Sequence, residues 1–331
     1  MVFKRLLGAI GVGGPAVDTV LDTGVALPGG PLSGQVHLRG GDAAVEIEHI
    51  GLELVARVEA EHEEGESEGT VAFARFTVGG GFRLGEGEQC SVPFGVTLPW
   101  ETPITELYGQ QLGVVLGVRT ELAVAGAKDK GDLDPLAVRP LPVQEAVLEA
   151  FGRLGFGFHS ADLEYGRIGG TGQRLPFYQE IELTPAPQYA HAVDEIELTF
   201  LAAPEGVEIV LEADKRGGLF SSGHDALVRF TVGHQDVHTR DWVADLEGRV
   251  GQLVEHRSAH GGHDPYAGHG HHGDHHGHHG HHGHHDGHHS GPGIGTAVAA
   301  GAAGLAVGVV GGLVAAEVVD EIGDFFEGDE D

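Results

Sequence analysis

Residues Val45–Val58 read VEIEHIGLELVARV, with apolar side chains at Val45 and Ile47 and again at Ile50, Leu52 and Leu54. The alternation slips by one residue at His49. Side chains on a strand point to opposite faces in turn, so such a slip would send half of the apolar set into water. A β-bulge near His49 absorbs the extra residue and keeps both halves on the core face. The stretch therefore predicts one long, bulged strand. Its neighbours share that character. Gln35–Leu38, Val71–Val78, Cys90–Leu98 and Val114–Val124 carry alternating or continuous apolar residues, and Gly/Pro clusters at Leu27–Pro31 and Gly79–Gly81 supply turns. Strands at this spacing suit an antiparallel sandwich.

Further along, Lys128–Pro142 is charged and proline-bearing and reads as a linker. Val147, Phe151 and Leu154 then recur at helical spacing, with Glu149 and Arg153 four apart on the polar side. The pattern predicts a short junction helix over Gln144–Leu154. A second β series follows at Gly157–Tyr165, Phe177–Leu183, Glu195–Phe200, Val207–Ala213 and Ala226–Val232. Val243, Leu246, Val250, Leu253 and Val254 return to the helical period and predict a closing helix over Asp241–His256. The chain is thus read as mostly β, with two antiparallel β-sandwich domains at 1–138 and 139–257. The rest divides into a Gly/His-rich segment at 258–293 and an apolar Gly/Ala segment with an acidic end at 294–331, a tail that is largely disordered or helical.

Composition narrows the function. The 331 residues carry a formal charge of −31, which repels nucleic acid and anionic membrane surfaces and favours basic partners. Cys90 is the only cysteine, so an intramolecular disulfide and a thiolate zinc cage are both excluded. Its place in a strand-like run predicts a buried, inert thiol. At the N-terminus, Lys4 and Arg5 precede a short apolar run broken by Gly13, Gly14 and Pro15. That run is too short and too soon interrupted for a secretory signal, and a short amphipathic helix is the reading preferred.

At this point the residues become familiar. The opening Phe3-Lys4-Arg5-Leu6-Leu7, then Val17-Asp18-Thr19, Gly34-Gln35-Val36 and the long strand Glu46–Val58 resemble the bacterial sporulation-control (stage-zero sporulation M) family. So do the turn Glu212-Ala213-Asp214-Lys215-Arg216-Gly217-Gly218-Leu219-Phe220 and the helix opening at Asp241-Trp242. The resemblance covers about residues 1–257. It implies an arrestin-like pair of β-sandwiches, an intracellular location, and a regulatory role in sporulation or differentiation. Partners in the developmental or cell-division machinery follow from it. It supplies no catalytic residues.

The sharpest chemical signal lies in the tail. His271, His272, His275, His276, His278, His279, His281, His282, His284, His285, His288 and His289 stand in pairs separated by Gly or Asp. Neutral imidazole suits Ni²⁺, Zn²⁺ and Cu²⁺, and glycine spacers let the chain wrap an ion without fixing its geometry. The tract predicts loose, exchangeable metal binding, against a bland reading as a flexible spacer; no cofactor is required. Ile294–Ala316 is uncharged, with Gly304, Gly308 and Gly312 spaced four apart as in close-packed membrane helices. It lacks flanking Lys or Arg and is rich in Gly and Ala, so self-association or peripheral membrane contact is preferred over spanning. The protein is read as cytoplasmic, with membrane association in part as the alternative. Phe325-Phe326 among acidic neighbours reads as a docking peptide or a solubilising end.

Elsewhere, Glu59, Glu61, Glu63, Glu64, Glu66 and Glu68 are read as a solvated loop between strands, and His159, His191, His224, His234 and His238 as scattered single histidines. No phosphate loop, no dinucleotide fingerprint opening a helix and no nucleophile elbow marks an enzyme. The chain is read as a binding protein, with metal buffering and membrane scaffolding as the rival functions.

Overall fold

The computed structural model describes residues 13–22, 24, 26–62, 65–126, 129–214 and 226–260. Among these, the first half contains β1 (Ala16–Leu21), β2 (Pro31–Arg39), β3 (Val45–His62), β4 (Gly65–Gly79), β5 (Phe82–Leu84), β6 (Gln89–Thr97), β7 (Glu106–Leu107), β8 (Gln110–Gln111), β9 (Leu116–Val124) and β10 (Lys130–Pro135). The second half contains α1 (Pro142–Leu154), β11 (Gly157–Tyr165), β12 (Phe177–Thr184), β13 (Glu195–Ala203), β14 (Gly206–Asp214), β15 (Ala226–Gly233) and α2 (Trp242–His260). The fold is mostly β, as the strand patterning predicts.

β3 organises the first half. Its register against β9 shifts between Ile47 and His49, the position of the phase slip, and Ile47, Ile50, Leu52 and Leu54 are all buried. The bulge thus keeps both segments on the core side. Opposite them lies the three-stranded sheet β1-β2-β6, whose Val17, Leu32, Val36 and Leu38 complete one hydrophobic cluster. Two sheets closing over alternating inward side chains make this half a sandwich.

The second half runs antiparallel in chain order from β11 to β15. β11 lies parallel to β3, with Glu164 beside Glu59, so one ten-stranded sheet passes through both halves. Two helices cover one face of this sheet in the second half. Ile181, Leu183, Ile196, Leu198, Ile209 and Leu211 pack against Val147 and Phe151 of α1 and Leu246 and Val250 of α2. The helices seat there because both carry an apolar stripe at helical period. Pro142 opens α1, whose Gln144 Oε1 accepts the Leu141 N–H at 2.8 Å, and Gly155 ends it at φ 94°, which favours glycine.

Four expectations need correction. Lys130–Pro135 is no linker: it pairs with β9 along its length, and Leu136 and Val138 beyond it are buried. Glu59, Glu61, Glu66 and Glu68 lie on strands rather than in a loop, and Glu63 and Glu64 lie outside the described residues. Glu59 faces Glu68 and Glu61 faces Glu66 in a β3–β4 hairpin, where backbone ladder bonds hold an extended chain despite like charges. Cys90 is half-buried at the end of the β2–β6 pair. Glu149 and Arg153 are both exposed and form none of the ion pairs found among the described residues, as hydration and side-chain entropy allow at a helix surface.

Candidate functional site

Alternation along β11–β14 sends the apolar residues to the helices and acidic residues to the other face. β11 contributes Asp162 and Glu164, β12 Glu180 and Glu182, β13 Glu195 and Glu197, and β14 Glu208 and Glu212. The register lines them up. Asp162 stands opposite Glu180, while Glu182, Glu197 and Glu212 form a row across three strands. Glu59 of the acidic hairpin continues the surface beside Glu164.

Part of this face is shielded from water. Ile168 packs on Tyr178, Leu201 and Val210, and Gln173 holds its loop by accepting the Ile168 N–H at 2.9 Å and donating to the Gly166 carbonyl at 2.8 Å. Glu180, Glu197 and Glu212 are only 7%, 8% and 5% exposed. Burial first, and then Glu197, Asp162, Glu164 and Glu212 around it, push Glu180 up to about 10. Burial and the same kind of neighbours, Glu180 foremost, also raise Tyr178. The rim is more open: Glu182, which accepts a hydrogen bond from Ser160 Oγ, Glu195 and Glu208 are half-exposed. On β15, Arg229 turns to the loop, donating to the Gly169 carbonyl at 2.9 Å.

Two carboxylate groupings stand out. One ligand atom each from Asp162, Glu164 and Glu180 lies within 4.8 Å of the other two, and the same holds for His159, Glu182 and Glu195. His159 is therefore not the isolated histidine that its sequence context suggests. His191 and His238 are exposed, and His234 stacks on Trp100 with its Nε2 at 2.8 Å from the Ala203 carbonyl oxygen. Nearby, a cleft of about 430 Å³ runs between Trp100, Glu101, Arg174 and Pro204. One string with nucleophile-elbow spacing, Gly65–Gly69 (GESEG), lies within strand β4, with Ser67 opposite Ala60 and no strand-to-helix turn.

The paired histidines from His271 to His289, His224, the apolar run Ile294–Ala316, the Lys215-Arg216 turn and the Phe325-Phe326 end lie outside the described residues. No helix among the described residues is long and apolar enough to cross a membrane.

Residues 3–217 match the sequence profile of the family described as SpoOM protein. The chain belongs to the Spo0M family. It is 38% identical over 215 residues to the sporulation-control protein spo0M of Bacillus subtilis (strain 168), covering 65% of this chain and 81% of that one. The crystal structure of Spo0M, sporulation control protein, from Bacillus subtilis overlays with a TM-score of 0.65 at 33% identity, covering 74% of this chain and 100% of that one. For the Spo0M member described here, the acidic face on β11–β14 lies inside the matched span, and the His tract lies beyond it.

Proposed function

We propose that this protein is a non-enzymatic, cytoplasmic regulator of sporulation or differentiation, an arrestin-like scaffold that docks a basic protein partner on the acidic face of β11–β14. One observation carries the reading: beside the covered Glu197 and Glu212, the half-exposed Glu182, Glu195 and Glu208 line one face of three adjacent strands. Like charges placed opposite one another cost stability, and a basic partner offsets that cost on contact. A field of one sign also speeds encounter with such a partner and makes it salt-dependent. The named role of the Bacillus relative supports the regulatory side of the reading. Its partner belongs to the developmental or cell-division machinery. Loose Ni²⁺, Zn²⁺ or Cu²⁺ binding by the His tract is accessory in this account, as is self-association or peripheral membrane contact through 294–316.

Site-specific photocrosslinking in developing cells tests the docking face. A photoreactive side chain at Glu208 should trap a defined protein, and one at Glu149 on the exposed side of α1 should not. Equal trapping from both positions, or none from Glu208, would refute it.

A further inference from the structure

We infer that Asp162, Glu164 and Glu180 form a binding site for a hard divalent cation of calcium size. The β11–β12 register builds it: Asp162 lies directly opposite Glu180, and Glu164, two residues on, shares that face. A ligand oxygen from each lies within 4.8 Å of the other two. Calcium holds its oxygens at about 2.3–2.6 Å, so oxygens up to about twice that distance apart can share one ion.

The second observation concerns Glu180 alone. Its side chain is more than nine-tenths buried, and its Oε1 has no hydrogen-bond partner. Buried polar atoms are almost always paired, and one left without a partner calls for a ligand or an ion. The Glu180 carboxyl group is the one that converges with Asp162 and Glu164. Glu197 and Glu212 are buried on the same sheet face and add negative charge beside it. The donor set is all carboxyl oxygen, and a bound ion takes the place of the proton that Glu180 holds without it, which suits Ca²⁺, or Mg²⁺ with retained waters, and disfavours metals that prefer sulfur or imidazole. It is thus chemically distinct from the His tract. The inference stands on Glu180 and its neighbours whether or not a partner docks on the more exposed rim.

The test uses the full chain, stripped with a chelator and then titrated with CaCl2 by calorimetry and with TbCl3 by luminescence. Tyr178 lies two residues before Glu180 on the same strand and stands opposite Glu164, so its ring should sensitise bound terbium. The expected result is a saturable calcium site whose affinity falls at least tenfold in Glu180→Gln and in Asp162→Asn. Terbium emission should drop in Tyr178→Phe while calcium affinity is kept. Far-UV circular dichroism checks that each variant is folded; if Glu180→Gln is not, Asp162→Asn and the terbium signal decide. No saturable calcium heat in the parent chain overturns the assignment. So does calcium affinity unchanged in both carboxylate variants, which would place the ion elsewhere on this acidic chain.

Discussion

Glu180 on β12 stands in register opposite Asp162 on β11, and Glu180 is sealed from water while Asp162 is half-exposed. Charge on Glu180 is therefore opposed both by burial and by the carboxylates around it, which push its pKa from 4.5 to about 10. The folded chain then holds a proton at Glu180 that the unfolded chain releases above its ordinary value. Stability through this group falls as pH rises from about 4.5 towards 10, because the folded state binds more protons across that window. With divalent cations removed, Glu180→Gln should stabilise the protein at pH 8 by at least about 1 kcal/mol. The gain should be much smaller at pH 4.5. Urea unfolding at the two pH values checks this, and an equal effect at both would contradict it.

Asp134 on β10 makes a similar case in the first half. Burial first, then Asp132 and Asp18 beside it, push it up to about 7, and its Oδ2 is buried without a hydrogen-bond partner. Asp132 is different in that its Oδ2 accepts the Thr19 N–H at 2.6 Å and ties β10 to β1. Asp134→Asn should therefore stabilise by about 1–2 kcal/mol above pH 7 and by little near pH 4. The advantage builds between 3.8 and about 7, since the folded state holds the extra proton there. Chemical denaturation across that range would show the slope.

Glu53 tests how burial weights an ion pair. Its carboxylate meets Arg119, whose Nε donates at 2.8 Å, and Arg75, whose Nε lies 2.7 Å away. The Arg119 side chain is largely covered and the Arg75 side chain is mostly in solvent. Arg119→Ala should cost about 2–4 kcal/mol because it strips a buried partner from a buried carboxylate. Arg75→Ala should cost under about 1 kcal/mol. Similar losses in the two variants would show that burial does not set the difference.

The overall charge of −31 predicts a strong salt response. Self-repulsion across the acidic surface is screened as the Debye length shrinks from about 30 Å at 0.01 M salt to about 3 Å at 1 M. The unfolding temperature should rise steadily with KCl over that range, and Glu182→Lys should weaken the response. A salt-independent unfolding temperature would mean that the carboxylates are already neutralised.

Much of the fold can be read from the residues. Val45–Val58 contains its bulge in the phase of its apolar residues, and the strands of the second half follow from alternation as plain as Val207, Ile209 and Leu211. β10 escapes because its sequence KGDLDP has no apolar alternation; its pairing with β9 and the Asp132 contact with Thr19 hold it instead. The glutamates of the β3–β4 hairpin escape for a related reason, since backbone bonds override a composition suited to loops. The helices over the second sheet are visible as helices, but nothing local says what they cover. The acidic face is the least readable part. Glutamates alternating with apolar residues describe any sheet with one wet side. Only the register brings Asp162 to Glu180, and only tertiary packing of the Ile168 loop region removes much of that face from water.

The central claim is that the acidic face of β11–β14 is the working surface of this Spo0M member. Spore yield in a Bacillus subtilis strain lacking its own Spo0M tests it most directly, with the strain carrying this chain, a Glu182→Lys/Glu208→Lys variant, or a form stopped after Arg257. The account predicts rescue by the parent and the shortened form, and at least a tenfold loss of rescue in the charge-reversed variant at equal protein level. Full rescue by the charge-reversed variant would contradict it, and rescue that requires residues beyond Arg257 would move the working surface to the tail.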